Sequence, residues 1–303
     1  MTRQANPSPR ATSRGAVACF DTLSTGIHLL ASLAIATASA CGDDDGGGGT
    51  VRAAEAAVPL EWSAGTTFAA LWVDEDRRSI EDLTSQSCGL DGAFVTATGA
   101  GSRVVGGGEG ECRVVGLDRS LRAGASTLSP SCAGALSWSL GGESRTIMSC
   151  GDALPDRLEL SCVELRDISG VGVTSVPGEA DGDVITSLSL STDRPSAITI
   201  TSPMAPGVGL GLWPSSGDLV VQWEAGEGDG VEVSLGAQDG TGDIIECHGP
   251  DDGELRIPAA LVEPRRAAEV WLRVARVKQS IQTTDGFRTT LTYRRSDTIY
   301  LDP

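Results

Sequence analysis

Beyond residue 57 the chain is a series of short stretches in which apolar and polar residues alternate, each cut off by Gly, Asp or Pro. Alternation with a period of two marks a strand with one buried face. Phe68–Val73, Ala93–Thr98, Arg113–Val115, Arg157–Leu165, Val184–Leu190 and Ile198–Thr201 fit that pattern. Gly134–Leu140 and Arg145–Cys150 flank a Gly141–Ser144 turn and predict a hairpin. Helical periodicity is scarce. Ser79-Ile80-Glu81-Asp82 predicts a short helix with Ser79 as N-cap, and Pro258–Leu261 a single turn opened by proline. The pattern is densest at the end, where Leu219–Glu224 and Val231–Leu235 surround a Gly/Asp-rich turn. "DIIECHG", "GELRIP", "AEVWLRVARV" and "FRTTLTYRRSDTIYL" follow.

The fold class expected is all-β, in two β-domains spanning 58–155 and 156–303. About 100 residues carrying six or seven short strands suggest a sandwich. "DLVVQWEAG" resembles the second strand of fibronectin type III domains, in which a Trp near the strand's end fills the core; Trp223 takes that place. "EVWLRVARV" resembles the later strand that packs against it, with Val270 where the family has Tyr. The resemblance implies an Ig/fibronectin-III-like sandwich with Val270, Leu272 and Val274 facing inward.

The first 57 residues have a different character. Arg3, Arg10 and Arg14 precede an uncharged stretch from Thr22 to Gly42 with its apolar centre at Leu29–Ala36. Small residues Ala38, Ser39 and Ala40 come next, the order of a secretory signal peptide over 1–40. Ala38-Ser39-Ala40-Cys41 resembles the lipobox of bacterial lipoproteins, with Ala38 where that family prefers Leu. The resemblance implies cleavage before Cys41 and acylation of that cysteine, a lipid anchor in the cell envelope, at the outer membrane. The same three residues satisfy the rule for ordinary secretory cleavage, which would release a soluble secreted or periplasmic protein. Left uncleaved, the stretch is just long enough to span a bilayer. "CGDDDGGGG" opens an acidic, Gly-rich linker over 41–57 with no side chains to bury.

Cys19 leaves with the signal, and six cysteines remain beside Cys41: Cys88, Cys112, Cys132, Cys150, Cys162 and Cys247. In an exported chain an even number reads as disulfides. The hairpin predicts Cys132 with Cys150, closure of the Gly-rich stretch 99–110 predicts Cys88 with Cys112, and elimination leaves Cys162 with Cys247. The absence of CxxC removes support for a thioredoxin-like or zinc-ribbon site.

Charge narrows the partners. The net charge is −18, Lys278 is the only lysine, and loss of residues 1–40 leaves the remainder more acidic still. Such a field repels phosphate backbones, so no nucleic-acid partner is expected. Walker A, G-x-S-x-G and dinucleotide fingerprints are missing. Past the signal the sole histidine is His248, expected in an exposed turn beside a disulfide-bonded Cys247. No catalytic residue, cofactor or metal ligand is nominated. Asp74-Glu75-Asp76, Glu179–Asp183, Glu227-Gly228-Asp229 and Asp251-Asp252 read as solvated turns, with calcium the sharper alternative. The expectation is a non-enzymatic, lipid-anchored envelope protein that binds, adheres or displays, with envelope protein or glycan partners. The alternatives are an exported hydrolase with carboxylates in an inter-domain cleft, or a calcium-stabilised adhesion module.

Overall fold

A computed structural model describes residues 59–80, 83–116, 128–130, 135–148, 158–159, 161–176, 187–204, 211–239, 242–284 and 287–303. The expected signal peptide and linker, Cys41, the expected Cys132–Cys150 pair and the acidic stretch 179–183 lie outside the described residues. In chain order the elements are β1 (Glu61–Trp62), β2 (Thr67–Ile80), β3 (Leu83–Ala97), β4 (Gly101–Ser102), β5 (Val104–Glu109) and β6 (Cys112–Val115). Then come β7 (Leu128–Pro130), the hairpin β8 (Ala135–Leu140) and β9 (Glu143–Met148), β10 (Leu158–Glu159), helix α1 (Cys162–Arg166), β11 (Gly170–Ser175) and β12 (Ser189–Asp193). The last part holds β13 (Ile200–Ser202), β14 (Gly211–Leu212), β15 (Leu219–Trp223), β16 (Gly230–Ala237), β17 (Ile244–Gly249), β18 (Glu254–Ile257), helix α2 (Ala259–Val262), β19 (Val270–Thr284) and β20 (Phe287–Asp302).

The fold is all-β, with two small sheets packed on one large sheet and a separate two-stranded β1–β4 ribbon. The large sheet runs β10-β3-β2-β20-β19-β16-β17-β6-β5. Its centre is the β19–β20 hairpin, paired from Val270↔Leu301 to Thr284↔Phe287. At about 3.3 Å per residue these strands span roughly 50 Å, twice what one sandwich needs. One end of the hairpin faces the three-stranded sheet β13-β15-β18 across a core that includes Trp223, Val233, Val270, Leu272, Val274 and Ile299. Three strands over β17-β16-β19-β20 is the Ig/fibronectin-III-like arrangement. Trp223, Val270, Leu272 and Val274 are all buried in it. The turn after Trp223 carries the chain from one sheet to the other, since β15 pairs with β18 and β16 with β19.

The other end of the hairpin faces the four-stranded sheet β12-β11-β8-β9. Leu71, Val73, Phe94, Leu291 and Tyr293 from the large sheet meet Trp138, Val171, Val173 and Leu190 in a second core. The expected boundary at 155/156 does not divide the sheets. β2 runs parallel to β20 from Phe68↔Arg288 to Arg78↔Thr298, and all described strands belong to one compact unit. The N-terminal part also covers the opposite edge, where β6 pairs with β17. Both open edges of the C-terminal sandwich are thereby closed by strands that precede it.

Three local segments depart from the expected pattern. Ser79 and Ile80 finish β2 rather than opening a helix, because the apolar alternation of 69–73 continues into pairing with β3 down to Ile80↔Leu83. Arg157–Leu165 is not one strand. Ser161 Oγ accepts from the Val163 N–H, Glu164 caps the Ser161 N–H, and this capping box starts α1. Pro258 sits one residue before α2, as its N-cap.

The disulfide pairing also differs. Cys88 joins Cys162, and Cys112 joins Cys247 directly across the β6–β17 ladder. Cys88 with Cys112 is geometrically impossible: five strands separate β3 from β6, about 29 Å at ~4.8 Å per strand spacing. Cys162 and Cys247 are each taken by another partner. One bond ties α1 to the large sheet beneath the second core, and the other staples the edge of the first.

Arg276, 2% exposed, stands where the first core ends. Its Nε donates to Asp251 Oδ2 (2.5 Å), and its Nη2 to Asp251 Oδ1 (3.1 Å) and the Glu224 carbonyl (2.5 Å). Its Nη1 donates to Ser196 Oγ (2.8 Å) and the Ala197 carbonyl (2.6 Å). Asp251 also accepts from Trp223 Nε1 and the Gly228 N–H, both at 2.9 Å. This buried pair thus anchors three connections to one strand. Peptide mapping without reduction is expected to recover the 88–162 and 112–247 cross-links. Asp251→Ala, which strands a buried guanidinium, should cost about 3–5 kcal/mol in urea unfolding.

Candidate functional site: a cleft between the two sandwiches

Three charged runs far apart in sequence lie side by side at the middle of the large sheet. Glu75 of β2 is opposite Arg295 of β20, and Arg295 is opposite Arg276 of β19. On the inner face of β20, apolar Leu291 belongs to one core and Ile299 to the other, with Tyr293, Arg295 and Asp297 between. The two small sheets leave a gap over this polar belt, bridged by residues 194–199. Asp74-Glu75-Asp76, expected as a turn, is therefore the middle of a strand, with Glu75 facing inward and its two neighbours outward.

Glu75 holds the bridging segment down. Arg194 grips it with two parallel bonds, Nε to Oε1 (2.7 Å) and Nη2 to Oε2 (2.8 Å). Arg295 Nε lies 3.3 Å from Oε2, and the Tyr293 hydroxyl donates to Oε1. Burial, with this carboxylate next, pushes the Tyr293 hydroxyl far above the usual phenol range. Arg194 Nη1 also donates to the Arg166 carbonyl (2.8 Å), and Arg295 Nη1 to that of Pro195 (3.1 Å). Forked guanidiniums suit such planar, bidentate contacts in a way lysine does not.

A cavity of about 400 Å³ opens on one side of the bridge, lined by Glu75, Arg77, Gln86, Arg166, Arg194 and Arg295 among others, with the Cys88–Cys162 bond in its wall. A second, of about 480 Å³, opens on the other side and shares Arg194 and Arg295, with Lys278 and Glu227 at its margin. Asp297 is buried nearby and does not line either one. Burial raises its carboxyl above the usual range against the pull of the Ile200 N–H and Arg77. Glu75, saturated by guanidinium and hydroxyl donors, has no free lone pair aimed at a substrate. Asp76, the other carboxylate that lines the first cavity, is likewise engaged, by Arg78, Ser296 and Thr298.

The outer face of the same strands carries a row of charges. Arg103 Nη2 meets Glu246 (3.1 Å), Glu246 meets His248 Nε2 (2.8 Å), Arg294 meets Glu232 (3.1 Å), and Arg273 meets Asp74 (3.3 Å). Asp76 accepts from Arg78, Ser296 and Thr298 at 2.8 Å each. Burial works against its charge, but Arg273 and these three donors hold its carboxyl below the usual range. His248 is not in an exposed turn. It sits within β17, its side chain 15% exposed and directed away from the buried Cys247. Burial opposes its protonation, yet the Glu246 bond and the charges of Glu232 and Glu246 prevail, and its pKa is raised. Glu232, despite burial, is brought down to about 2 by Arg294, His248 and Arg273.

The remaining acidic positions are engaged locally. Asp229 accepts from Lys278 Nζ (3.2 Å) and the Gln279 N–H (2.7 Å), and Asp252 from the Glu254 N–H (3.4 Å). Among the described residues no three His, Cys, Asp or Glu side chains converge to hold a metal ion. Of the residues singled out in the sequence, Glu75, Asp76, Cys88 and Cys162 line the first cavity, and Glu227 and Lys278 the second. Cys112, Cys247 and His248 lie at the far edge. The arginines of the cleft carried no sequence motif; the one trace was the charged run inside each strand pattern.

No family model and no curated protein matches this chain. Among solved structures, a two-domain fibronectin type III segment of chicken tenascin is similar at 10% identity over 71% of this chain and 93% of that one. Its TM-score is 0.18. The sandwich assignment rests on the strand order described above.

The outer row makes stability depend on pH in a defined direction. A histidine whose folded pKa is raised stabilises below its unfolded value of about 6.5, and that contribution disappears as pH rises through the folded pKa. Glu232 acts oppositely: its contribution is present above about 4.3 and is lost as pH falls toward 2. Urea midpoints should therefore decline from pH 6 upward in the wild type. His248→Gln should flatten that decline; an unchanged slope would exclude His248 as its source.

Proposed function

We propose that the protein is an exported envelope component, anchored by lipid at Cys41, that acts by binding or display rather than by catalysis. The observation that carries the reading is the pair of disulfides between residues 74 and 135 positions apart. Bonds of this kind form and persist in oxidising compartments. They agree with the basic, apolar, small-residue order that ends at Cys41. No described helix is long and apolar enough to cross a membrane.

Binding rather than chemistry is favoured by the state of the cleft. Its central carboxylate is consumed in holding two arginines and a tyrosine, so it serves as scaffold. The acidic, Gly-rich composition of residues 41–57 suits a spacer between an acylated cysteine and the folded part.

The test is the intact mass of the protein extracted from membranes of a lipoprotein-processing host. The expected product begins at Cys41 and carries acyl chains, and Cys41→Ser should release it from the membrane fraction. A product that begins at Cys41 without acyl groups, or one that retains residues 1–40, would overturn the anchor.

A further inference from the structure

The cleft holds more positive charge than its own carboxylates use. Arg77, Arg166, Arg194 and Arg295 line one cavity of about 400 Å³ against two carboxylates, Glu75 and Asp76, in a protein whose net charge is −18. Arg194 and Arg295 share Glu75. Arg77 and Arg166 do not. The Arg77 side chain is 42% exposed, reaches Thr199 Oγ1 at 3.5 Å and stands 3.9 Å from Asp297. The exposed Arg166 side chain has no partner among the described residues; its carbonyl is what Arg194 holds. Solvated surface arginines in so acidic a chain would ordinarily pair with neighbouring carboxylates, as Arg145 does with Glu164 (2.7 Å) and Arg256 with Glu254 (2.7 Å). Arg166 has no such partner among the described residues, and Arg77, paired with buried Asp297 through Nε and with Thr199 through Nη1, keeps its Nη2 donors unengaged among them; both line the same cavity.

The space is organised for a small ligand. Its floor is the rigid middle of a sheet, its wall is the Cys88–Cys162 bond with Ala197 and Ile198, and Gln86 adds an uncharged amide at the margin. Arg194 and Arg295 are held in place by Glu75 and by backbone carbonyls, so their remaining positive field is fixed before any ligand arrives. Preorganised guanidiniums beside an apolar wall bind oxyanions at small entropic cost. A cavity of this size admits a compact molecule, not a polymer chain.

We infer that this cleft is a binding site for a compact multivalent oxyanion, a small carboxylate- or phosphate-bearing metabolite, held by Arg77 and Arg166 against the Arg194–Glu75–Arg295 platform. The inference rests on the reading of the protein as a binding module and is independent of its anchoring, which the mass at Cys41 decides separately. It also assigns Glu75 a role: a built-in carboxylate that keeps two arginines aimed and leaves the outer pair for the ligand.

Citrate and inorganic phosphate serve as probes on the purified full chain, titrated by calorimetry at constant ionic strength adjusted with NaCl. Saturable binding of one to either is expected, and the stronger of the two identifies the headgroup as carboxylate or phosphate. Arg77→Ala and Arg166→Ala should each weaken it about tenfold, in line with loss of a charge-assisted hydrogen bond. Gln86→Glu removes no arginine and places a competing carboxylate in the cavity; it too should weaken binding at least tenfold, while the unliganded melting temperature stays within a few degrees. The inference is overturned by absence of saturable binding to both anions, by an effect that NaCl alone reproduces, or by affinity unchanged in Gln86→Glu and Arg166→Ala.

Discussion

A single hairpin longer than one sandwich requires determines the architecture. β19 and β20 pair without a break from Val270↔Leu301 to Thr284↔Phe287, so a small sheet can pack on each end of the same surface. The two cores are coupled through continuous backbone hydrogen bonding rather than through a linker. A chain built this way has no natural cut near residue 155, because β2 and β3 from before that point complete the sheet that β20 begins.

Where one core gives way to the next, the inner face of the shared strands meets a gap between small sheets, and apolar side chains there would be exposed. The strands answer with charged residues in register: Glu75, Arg295 and Arg276 form one cross-strand row. Charges half removed from water need partners with good geometry. The crossing segment provides them through Arg194, Ser196 and the Ala197 carbonyl. This junction leans on guanidiniums, which a composition of one lysine among 23 basic residues supplies in plenty.

Much of the architecture was legible in alternation alone. Trp223 and the inward set Val270, Leu272 and Val274 lie where the fibronectin-like pattern puts them, and β8–β9 is the hairpin expected from its turn. What escaped the sequence was long-range. Strand order decides which cysteines can meet, and nothing near Cys88 reveals that five strands lie between it and β6. The acidic run 74–76 looked like a turn because a buried strand is expected to be apolar; its meaning depends on the gap above it, which belongs to other segments. Ser161 and Glu164 did carry a readable signal, the capping box, in a stretch whose alternation suggested a strand. Ser79 and Asp82 imitated that signal in a segment where strand pairing prevailed. The cleft arginines had no local signature, since four segments must fold before they share a cavity.

The parallel addition of β2 to β20 also governs how the protein carries load. The N-terminal end of β2 and the C-terminal end of β20 lie at opposite ends of the paired region, which runs from Phe68↔Arg288 to Arg78↔Thr298. Opposing tension on those two ends would act along the strands, in shear, so the hydrogen bonds between them would resist together instead of peeling one at a time. Rupture would be governed by a single cooperative unfolding barrier. The arrangement that closes the sandwich edge therefore also makes the folded part a mechanically stiff coupler.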